Sequence, residues 1–228
     1  MSYRRSLWLA VILMALSLYF PINRMANGGV QLLLPIDGLI PLFPPAIVPY
    51  LLGDALFIGV PIWAAIRAKP RDFEAYTISI LLATAVSYFV YLVFPTFVTR
   101  PEITSSDAFS RALMILYRTD RAYNAAPSGH ALYTVLSFLY LERWRPNYRP
   151  IWIAAAVLIL LSTLLTRQHY VLDLVSGIAL AILAYIAGHF AKKRWALTFA
   201  SNQKQDIHQL TQTALVSLSS ISLPPCTK

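Results

Sequence analysis

The chain has 228 residues, of which 57% are hydrophobic and 13% are charged, and its formal net charge is +9. Soluble domains carry about 25% charged residues, so this composition excludes an ordinary soluble domain and favours a membrane protein. The positive charge does not indicate nucleic-acid binding, because many of the basic residues cluster in short connections between apolar runs. Cys226 is the single cysteine, so neither an internal disulfide nor a cysteine metal cluster is possible.

Six apolar runs predict an all-α, polytopic membrane protein built as a six-transmembrane-helix bundle. The fourth run is short by itself, and we expect it to extend through polar residues at its outer end. The N-terminal run also resembles a signal peptide, but the segment after it lacks a small-residue cleavage pattern, which favours an uncleaved first helix. The runs are 7–22, 47–66, 75–94, 129–141, 151–166 and 171–190.

Basic residues cluster in connections that fall on one side of the membrane if the six runs alternate. The positive-inside rule makes that side cytoplasmic, with both termini inside. The long connection 95–128 and the turn before His169 then lie outside, which predicts an extracytoplasmic active site in the plasma (inner) membrane. The clusters comprise Arg4 and Arg5; Arg67, Lys69 and Arg71; Arg143, Arg145 and Arg149; and Lys192, Lys193 and Arg194.

The organisation predicted is one membrane domain, 1–198, followed by a mobile cytoplasmic tail, 199–228, rich in Ser, Thr and Gln. In the main outer loop, residues 110–117 are typical of a short interfacial helix, with Ser105 or Asp107 as its cap. Asp54 lies within the second apolar run, where a charge is costly. Two interpretations of Asp54 remain open: it pairs with an active-site arginine, or it caps polar groups between helices.

A histidine and an aspartate stand four residues apart at the start of the sixth run. His169 and Asp173 share one face if a helix begins near here. A carboxylate bonded to one ring nitrogen fixes the tautomer and leaves the other nitrogen free for nucleophilic attack on phosphorus. The alternative is a buried structural pair, but ionisable pairs at membrane depth are costly and usually functional.

A second histidine belongs to Pro127-Ser128-Gly129-His130, at the start of the fourth run. Proline suits the first turn of a helix, and glycine permits close backbone approach. Amides at a helix N-terminus form an anion site, to which Ser128 adds a hydroxyl donor. His130 then stands where it can protonate a leaving alkoxide.

Arginines are unexpectedly frequent on the side predicted to be outside. Arginine stays charged and presents a rigid fork of donors that matches phosphate oxygens, so an outward-facing phosphate site explains their presence. Arg100, beside the third helix end, is the strongest functional candidate. For Arg24, Arg111 and Arg118 we favour simple tolerance of arginine in short loops. The predicted outer arginines are Arg24, Arg100, Arg111, Arg118, Arg121 and Arg167.

These segments resemble the type 2 phosphatidic acid phosphatase and vanadium haloperoxidase superfamily. Its three signature segments are Lys-x6-Arg-Pro, Pro-Ser-Gly-His and Ser-Arg-x5-His-x3-Asp. The second is complete at 127–130. The first is represented by Arg100-Pro101 with Val93 at the lysine position, and the third by Ser162, His169 and Asp173 with Thr163 at the arginine position. The resemblance spans residues 37–190 and includes the order of the helices.

Four stretches further resemble the branch that contains inositol phosphorylceramide synthase-like enzymes. They are 37–50, 91–101, Tyr123-Asn124 and 166–170. Both departures from the signature, Val93 and Thr163, remove a cation expected to hold phosphate. Arg167 is one helical turn from Thr163 and is the candidate replacement for that arginine. Arg121, seven residues before Ser128, is the candidate replacement for the lysine.

The resemblance implies a mechanism on a lipid phosphate. Arg100, Arg167 and the amides of Ser128 and Gly129 would bind the phosphate, assisted by Arg121. His169, oriented by Asp173, would attack phosphorus, and His130 would protonate the departing lipid alcohol. Water would then hydrolyse the phosphohistidine, or a second alcohol would accept the phosphoryl group. No metal or other cofactor is required, because arginines and amides stabilise the developing charge.

Three functions remain open from the sequence. The leading hypothesis is a lipid phosphate phosphatase that hydrolyses a phosphomonoester or pyrophosphate. The rival enzyme is a phosphotransferase that moves a phosphoalcohol head group between lipids. The non-enzymatic alternative is a lipid-binding protein with a degenerate site, motivated by Val93 and Thr163. The expected partner is the lipid substrate within the membrane and not nucleic acid, and the sequence does not specify an oligomeric state.

Overall fold

The computed structural model describes residues 2–191 and builds them mainly from α-helices. Within this described part there are no β-strands, only two isolated bridges, which tie the outer segments Val30 to Thr96 and Phe97 to Tyr123. The all-α prediction is therefore confirmed for these residues. The predicted tail, 199–228, lies outside the described residues.

Eight α-helices follow one another along the described chain. Short 3₁₀ turns at Pro35–Leu39, Pro44–Ala46 and Pro146–Tyr148 connect some of them. The helices are α1 (Tyr3–Ser17), α2 (Tyr19–Met25), α3 (Ile47–Arg67), α4 (Pro70–Val93), α5 (Ala108–Thr119), α6 (Gly129–Trp144), α7 (Arg149–Leu165) and α8 (Val171–Ala191).

Five helical segments are long and apolar enough to cross a membrane, which indicates an integral membrane protein. They are Tyr3–Met25, Pro44–Arg67, Pro70–Val93, Pro146–Leu165 and Val171–Ala191. Five of the six predicted runs are thereby accounted for. The remaining run is α6, which has 16 residues and is shorter than these spans. The six-span count therefore stays a prediction.

Local sequence explains where these helices begin. Pro70 occupies the first position of α4 and Pro150 the first turn of α7, where a missing backbone N–H removes no helical hydrogen bond. Ser128 precedes α6 and accepts a hydrogen bond from the amide of Ala131 at 3.2 Å. This N-cap satisfies a donor that the first turn leaves open.

The helix α6 is the centre of the bundle. It packs against α3, α4 and α7, and half of its residues are buried. Its polar side chains are met by α4: the hydroxyls of Ser79 and Tyr140 lie 2.8 Å apart, and those of Thr84 and Tyr133 lie 3.0 Å apart. Because protein surrounds α6, it does not need the long apolar surface that lipid contact imposes.

A glycine lets α8 approach the start of α6 very closely. A Cβ added to Gly177 would lie 2.5 Å from the carbonyl oxygen of Ser128 and 3.0 Å from the Cβ of Ala131. Any larger residue would push the two helices apart at this level. Backbone contact reinforces the approach, because the amide of Ser128 donates to the carbonyl of Asp173 at 2.9 Å.

Basic side chains are concentrated at the far end of the bundle from His130. The guanidinium of Arg5 donates to the carbonyls of Ala65 and Ala68 at 3.1 and 2.8 Å, at the end of α3. Arg143 lies near the other end of α6 from His130, which places the two ends about 24 Å apart along a helix of this length. This separation agrees with the predicted charge pattern, while the orientation of the protein in a membrane stays a prediction.

The short helix predicted at 110–117 is found as α5, and Asp107 is its cap, while its interfacial position stays a prediction. The Asp107 carboxylate accepts from the amides of Phe109 and Ser110 at 2.8 and 3.1 Å, and from the hydroxyls of Ser110 and Ser105 at 2.6 and 2.7 Å. These hydroxyl and amide donors stabilise the anion and hold the pKa of Asp107 well below its ordinary value.

Removing this cap is expected to loosen the first turn of α5. In Asp107→Ala, amide hydrogen exchange at Phe109 and Ser110 should become roughly fivefold faster, because two amides lose their acceptor. The exposed neighbour Ser106 provides a matched control, and Ser106→Ala should leave exchange at both amides unchanged. Equal protection in the two variants would show that the cap does not hold this turn.

Candidate active site

A single cavity of about 700 Å³ brings the predicted reactive groups together. One part of its wall is polar and the other is apolar, so the space can hold a head group and part of a chain. The polar wall includes Asp54, Arg100, Asn124, His130, Gln168 and His169. The apolar wall includes Leu13, Leu16, Leu51, Phe57 and Ile58, which come from α1 and α3.

His169 lies two residues before α8 and is 9% exposed. Its Nδ1 is 3.0 Å from the carbonyl oxygen of Ala125. A carbonyl only accepts hydrogen bonds, so this contact places the ring proton on Nδ1 and leaves Nε2 with its lone pair. The neutral ring is thus held in the tautomer that a nucleophile requires.

Asp173 stands close to His169, but the hydrogen bond predicted between them is replaced by another. Its Oδ2 is 3.7 Å from Nδ1 of His169, which exceeds hydrogen-bond distance, and accepts instead from the amide of Tyr170 at 2.8 Å. The reason is register: α8 begins at Val171, so His169 precedes the helix. Asp173 is fully buried, and its charge stabilises an imidazolium at this distance through space.

His130 is the second residue of α6 and faces the same cavity. Its ring stacks on Tyr50 with centroids 4.0 Å apart, and its centroid is 6.1 Å from that of His169. A Cβ added to Gly53 would lie 3.1 Å from the His130 ring, so this glycine allows α3 to pack against it. The two histidines therefore lie on one cavity wall at a separation that a phosphate can bridge.

Asp54 contacts His130, a partner that the sequence did not name. Its Oδ1 lies 3.1 Å from Nε2 of His130. The contact replaces the arginine partner considered from the sequence and fits the other interpretation, in which Asp54 meets a polar group on a neighbouring helix. The only signal available was the spacing, because Tyr50 and Asp54 are one turn apart on α3 and both meet the same ring.

Arg100 lines the cavity and is held firmly. Its guanidinium donates to the carbonyls of Tyr117 and Asp120 at 3.1 and 2.6 Å, and to Oε1 of Gln168. It also lies over the Tyr117 ring, 4.7 Å from the centroid. The structure therefore fixes this charge at the cavity wall, as the prediction required.

The two arginines considered as replacement cations have different positions. Arg121 lines the cavity, donates to the carbonyl of Arg24 at 2.7 Å and lies over the ring of Tyr123. Arg167 does not line it, and donates to the carbonyl of Asp37 at 2.6 Å. Because α7 ends at Leu165 and Arg167 has a φ of +53°, Arg167 does not continue the helical face of Thr163 as the prediction assumed.

The Pro-Ser-Gly-His segment forms the N-terminus of α6 beside the histidines. Gly129 lines the cavity, whereas Ser128 is fully buried behind it. The Ser128 hydroxyl acts as the N-cap, so its main contribution is to fix the first turn. Backbone N–H groups at a helix start lack helical acceptors, which makes this end of α6 suited to an anion.

Two buried amides were quoted in the sequence only as part of the branch resemblance, and their position was not anticipated. Asn124 and Gln168 both line the cavity next to the histidines. Among the described residues, Nδ2 and Oδ1 of Asn124 and Nε2 of Gln168 have no hydrogen-bond partner. Buried polar atoms are normally paired, so these atoms indicate a place where a polar ligand binds.

The charges at the cavity wall are mixed. Arg100 and Arg121 lie there with Asp54 and Asp120, so the wall is not strongly cationic. Burial raises the pKa of the Asp120 carboxyl, although the Tyr19 hydroxyl donates to it at 2.8 Å. A phosphate in this cavity therefore relies on hydrogen-bond donors as well as on charge.

The comparison with protein families agrees with this geometry. The PAP2 superfamily profile matches residues 42–187, which is well over half of the chain and includes both histidines. Neither a curated protein nor a solved structure matches the chain. Membership in this family indicates phosphatase-type or phosphotransferase-type chemistry on lipid phosphates. With its helical membrane bundle and paired histidines at one cavity, the chain belongs to the PAP2 superfamily.

Proposed function

We propose that this protein is a lipid phosphate phosphatase that hydrolyses a phosphomonoester or pyrophosphate through a phosphohistidine intermediate. The observation that carries the proposal is the geometry of the two histidines. His169 has Nε2 free because its Nδ1 faces the carbonyl of Ala125. The ring centroid of His130 is 6.1 Å from that of His169, and His130 lies beside Asp54. The His169 ring is suited to attack phosphorus, and the His130 ring is suited to proton transfer.

The first half-reaction moves the phosphoryl group to the protein. Nε2 of His169 attacks phosphorus, a P–N bond forms, and the P–O bond to the leaving group breaks. Protonated His130 donates its proton to the departing oxygen, so a phosphomonoester releases its lipid as a neutral alcohol and a pyrophosphate releases a lipid monophosphate. The phosphorylated ring of His169 carries positive charge, which the Ala125 carbonyl and the Asp173 carboxylate stabilise.

The second half-reaction returns the protein to its starting state. His130, now neutral, takes a proton from water as the water oxygen attacks phosphorus. The P–N bond breaks, and its electron pair returns to Nε2 of His169. Arg100 and the amides at the start of α6 stabilise the phosphate throughout, with Arg121 nearby. The proposed reaction requires no metal or other cofactor.

The apolar wall supports a lipid as the substrate. Side chains of α1 and α3 continue the cavity away from the histidines, so a chain attached to the phosphate has an apolar surface to contact. The histidines and the basic clusters lie at opposite ends of α6. With the basic end in the cytoplasm, the site faces outward from the plasma membrane through a six-span bundle, as the charge pattern predicts.

A phosphoalcohol transferase is the second candidate. It is favoured by Asp37, which begins one of the stretches that resemble inositol phosphorylceramide synthase-like enzymes. Asp37 accepts from the amide of Val171 at 2.9 Å and from Arg167 through its carbonyl, so it holds the segment that carries His169. In this reaction a second lipid alcohol replaces water in the second half-reaction.

The purified protein should be assayed against phosphatidic acid and an isoprenyl pyrophosphate, with and without an added lipid alcohol. Release of inorganic phosphate is expected, because the proposed reaction ends with hydrolysis of the phosphohistidine by water. Head-group exchange with the added alcohol and no phosphate release would overturn hydrolysis and establish the transferase. Neither product from any lipid phosphate would leave a lipid-binding protein as the correct description.

A further inference from the structure

Two neutral amides line the cavity that also holds Arg100 and the two histidines. Asn124 is 2% exposed and Gln168 is 5% exposed. Asn124 has both polar side-chain atoms unpaired, and Gln168 has its Nε2 unpaired, within the part of the chain that the structure describes. Buried donors without acceptors are destabilising unless a ligand completes them.

The orientation of the Gln168 amide is fixed by its oxygen. Oε1 accepts from the guanidinium of Arg100, and only an oxygen can accept, so Nε2 is the free end. The backbone amides of Gln168 and His169 both donate to the carbonyl of Thr163, at 3.0 and 3.2 Å. These two bonds fix the backbone of Gln168 and of His169 in one turn, and both side chains line the same cavity.

Asn124 is held by an unusual backbone conformation. Its φ of +58° is left-handed, a region that asparagine adopts more readily than most residues. The next residue, Ala125, supplies the carbonyl that positions His169. Asn124 therefore directly precedes the residue whose carbonyl positions the nucleophile. Gln168 directly precedes the nucleophile itself.

The two positions that carry cations in the superfamily signature do not serve this cavity. Val93 is 66% exposed at the end of α4 and does not line the wall. Thr163 is fully buried, and its hydroxyl donates to the carbonyl of Leu160 at 2.7 Å. In the proposed function, other donors must therefore bind the phosphate oxygens that the two signature cations would bind.

We propose that the side-chain amides of Asn124 and Gln168 bind the non-bridging oxygens of the substrate phosphate, in place of the two missing cations. The inference rests on the proposed function only in taking a lipid phosphate as the ligand. The ligand class is a phosphate ester whose oxygens accept from two N–H₂ groups and from Arg100. Recognition on these two sides depends on hydrogen-bond direction and not on positive charge.

The test compares isosteric variants that replace a donor by an acceptor. Full-length protein in detergent should be titrated calorimetrically with a non-hydrolysable phosphonate analogue of dioctanoyl phosphatidic acid, using wild type, Asn124→Asp and Gln168→Glu. Each substitution is expected to raise Kd at least about tenfold, because a lost donor and a new carboxylate both oppose the phosphate. Gln168→Glu keeps an oxygen for Arg100, so the position of the arginine is retained.

Asn27→Asp, the same change on an exposed side chain, is the matched control and should keep the wild-type Kd. Thermal unfolding without ligand separates binding from structure: the variants should unfold near the wild-type temperature but lose the stabilisation that the lipid phosphate gives. A purely structural role would lower the ligand-free unfolding temperature and leave Kd unchanged, and that result would overturn the inference. Asn124→Ala and Gln168→Ala provide uncharged replacements if either carboxylate prevents folding.

The two proposals fail in different ways. Wild-type protein that binds phosphatidic acid through these amides but hydrolyses no lipid phosphate would contradict the proposed function alone. Hydrolysis with unchanged Kd and unchanged KM in both variants would contradict the inference alone. Wild-type protein that neither binds nor hydrolyses phosphatidic acid, isoprenyl pyrophosphate or any related lipid phosphate would overturn both.

Discussion

His169→Ala is expected to reduce turnover of lipid phosphate by at least about 10⁴-fold, because the proposed reaction forms its P–N bond at Nε2 of this ring. The structure explains why a single residue has so large an effect. Nε2 of His169 is the free nitrogen of a ring whose other nitrogen faces a backbone carbonyl, so the tautomer is set before substrate arrives. The rate is measured as phosphate release from the most active lipid of the panel.

Trapping the phosphohistidine intermediate tests the role of His169 independently of the rate. With substrate labelled at phosphorus, wild-type protein quenched in alkali should retain label on histidine, and His169→Ala should retain none. His208→Ala, in the segment predicted as a tail, is the matched histidine control and should behave as wild type. Label that persists in His169→Ala would assign the nucleophile elsewhere, and equal loss of activity in His208→Ala would indicate a defect unrelated to the site.

His130→Gln is expected to slow hydrolysis of an alkyl phosphate by about 10² to 10⁴-fold, the usual contribution of a general acid. The loss should be much smaller with p-nitrophenyl phosphate, whose leaving group departs without a proton. Asp54→Asn should show the same pattern in weaker form, since its Oδ1 lies 3.1 Å from Nε2 of His130 and helps to orient that ring. For each protein, the quantity to measure is the rate with the alkyl phosphate divided by the rate with p-nitrophenyl phosphate.

This ratio distinguishes proton transfer from positioning. If His130 only shaped the cavity, the substitution would slow both substrates equally. An equal loss would therefore contradict the assignment of His130 as the acid while leaving His169 as the nucleophile. His130→Asn serves as a second, shorter replacement, in case the glutamine disturbs the stacking on Tyr50.

Hydropathy was sufficient to place most of the fold. Long apolar runs have few structural alternatives in a bilayer, and the predicted run 47–66 is found as α3, Ile47–Arg67. The predicted run 129–141 is likewise found within α6, but hydropathy did not show that protein surrounds this helix. The hydroxyls of Tyr133 and Tyr140 meet hydroxyls of α4, and that partnership is visible only in the folded structure.

Motif spacing identified two histidines that the fold brings to one cavity, but it did not predict all of their contacts. The spacing of His169 and Asp173 is helical only if the helix includes both, and a start at Val171 leaves His169 outside. Arg167 fails to join the cavity for a related reason, since a single left-handed residue turns its side chain away from the face of Thr163. Such local breaks depend on backbone conformation and leave no periodic trace in the sequence.

Asp54, Asn124 and Gln168 illustrate a different limit. Each acquires its role from neighbours that are distant along the chain, such as His130 for Asp54. A sequence scan can mark a charge in an apolar run as costly, but it cannot name the group that meets it. Tertiary packing supplies that information, and at this site it provides three of the polar groups at the cavity wall.

The modest length of α6 has a consequence for how a lipid reaches the histidines. Sixteen residues extend about 24 Å, less than the roughly 30 Å of a hydrocarbon layer. In the predicted orientation, with the basic end of α6 at one surface, we expect His130 to lie beneath the head-group plane of the opposite leaflet. A substrate would then have to sink part of the way out of its leaflet to react, so that lipid packing and head-group size would influence the rate together with the chemistry.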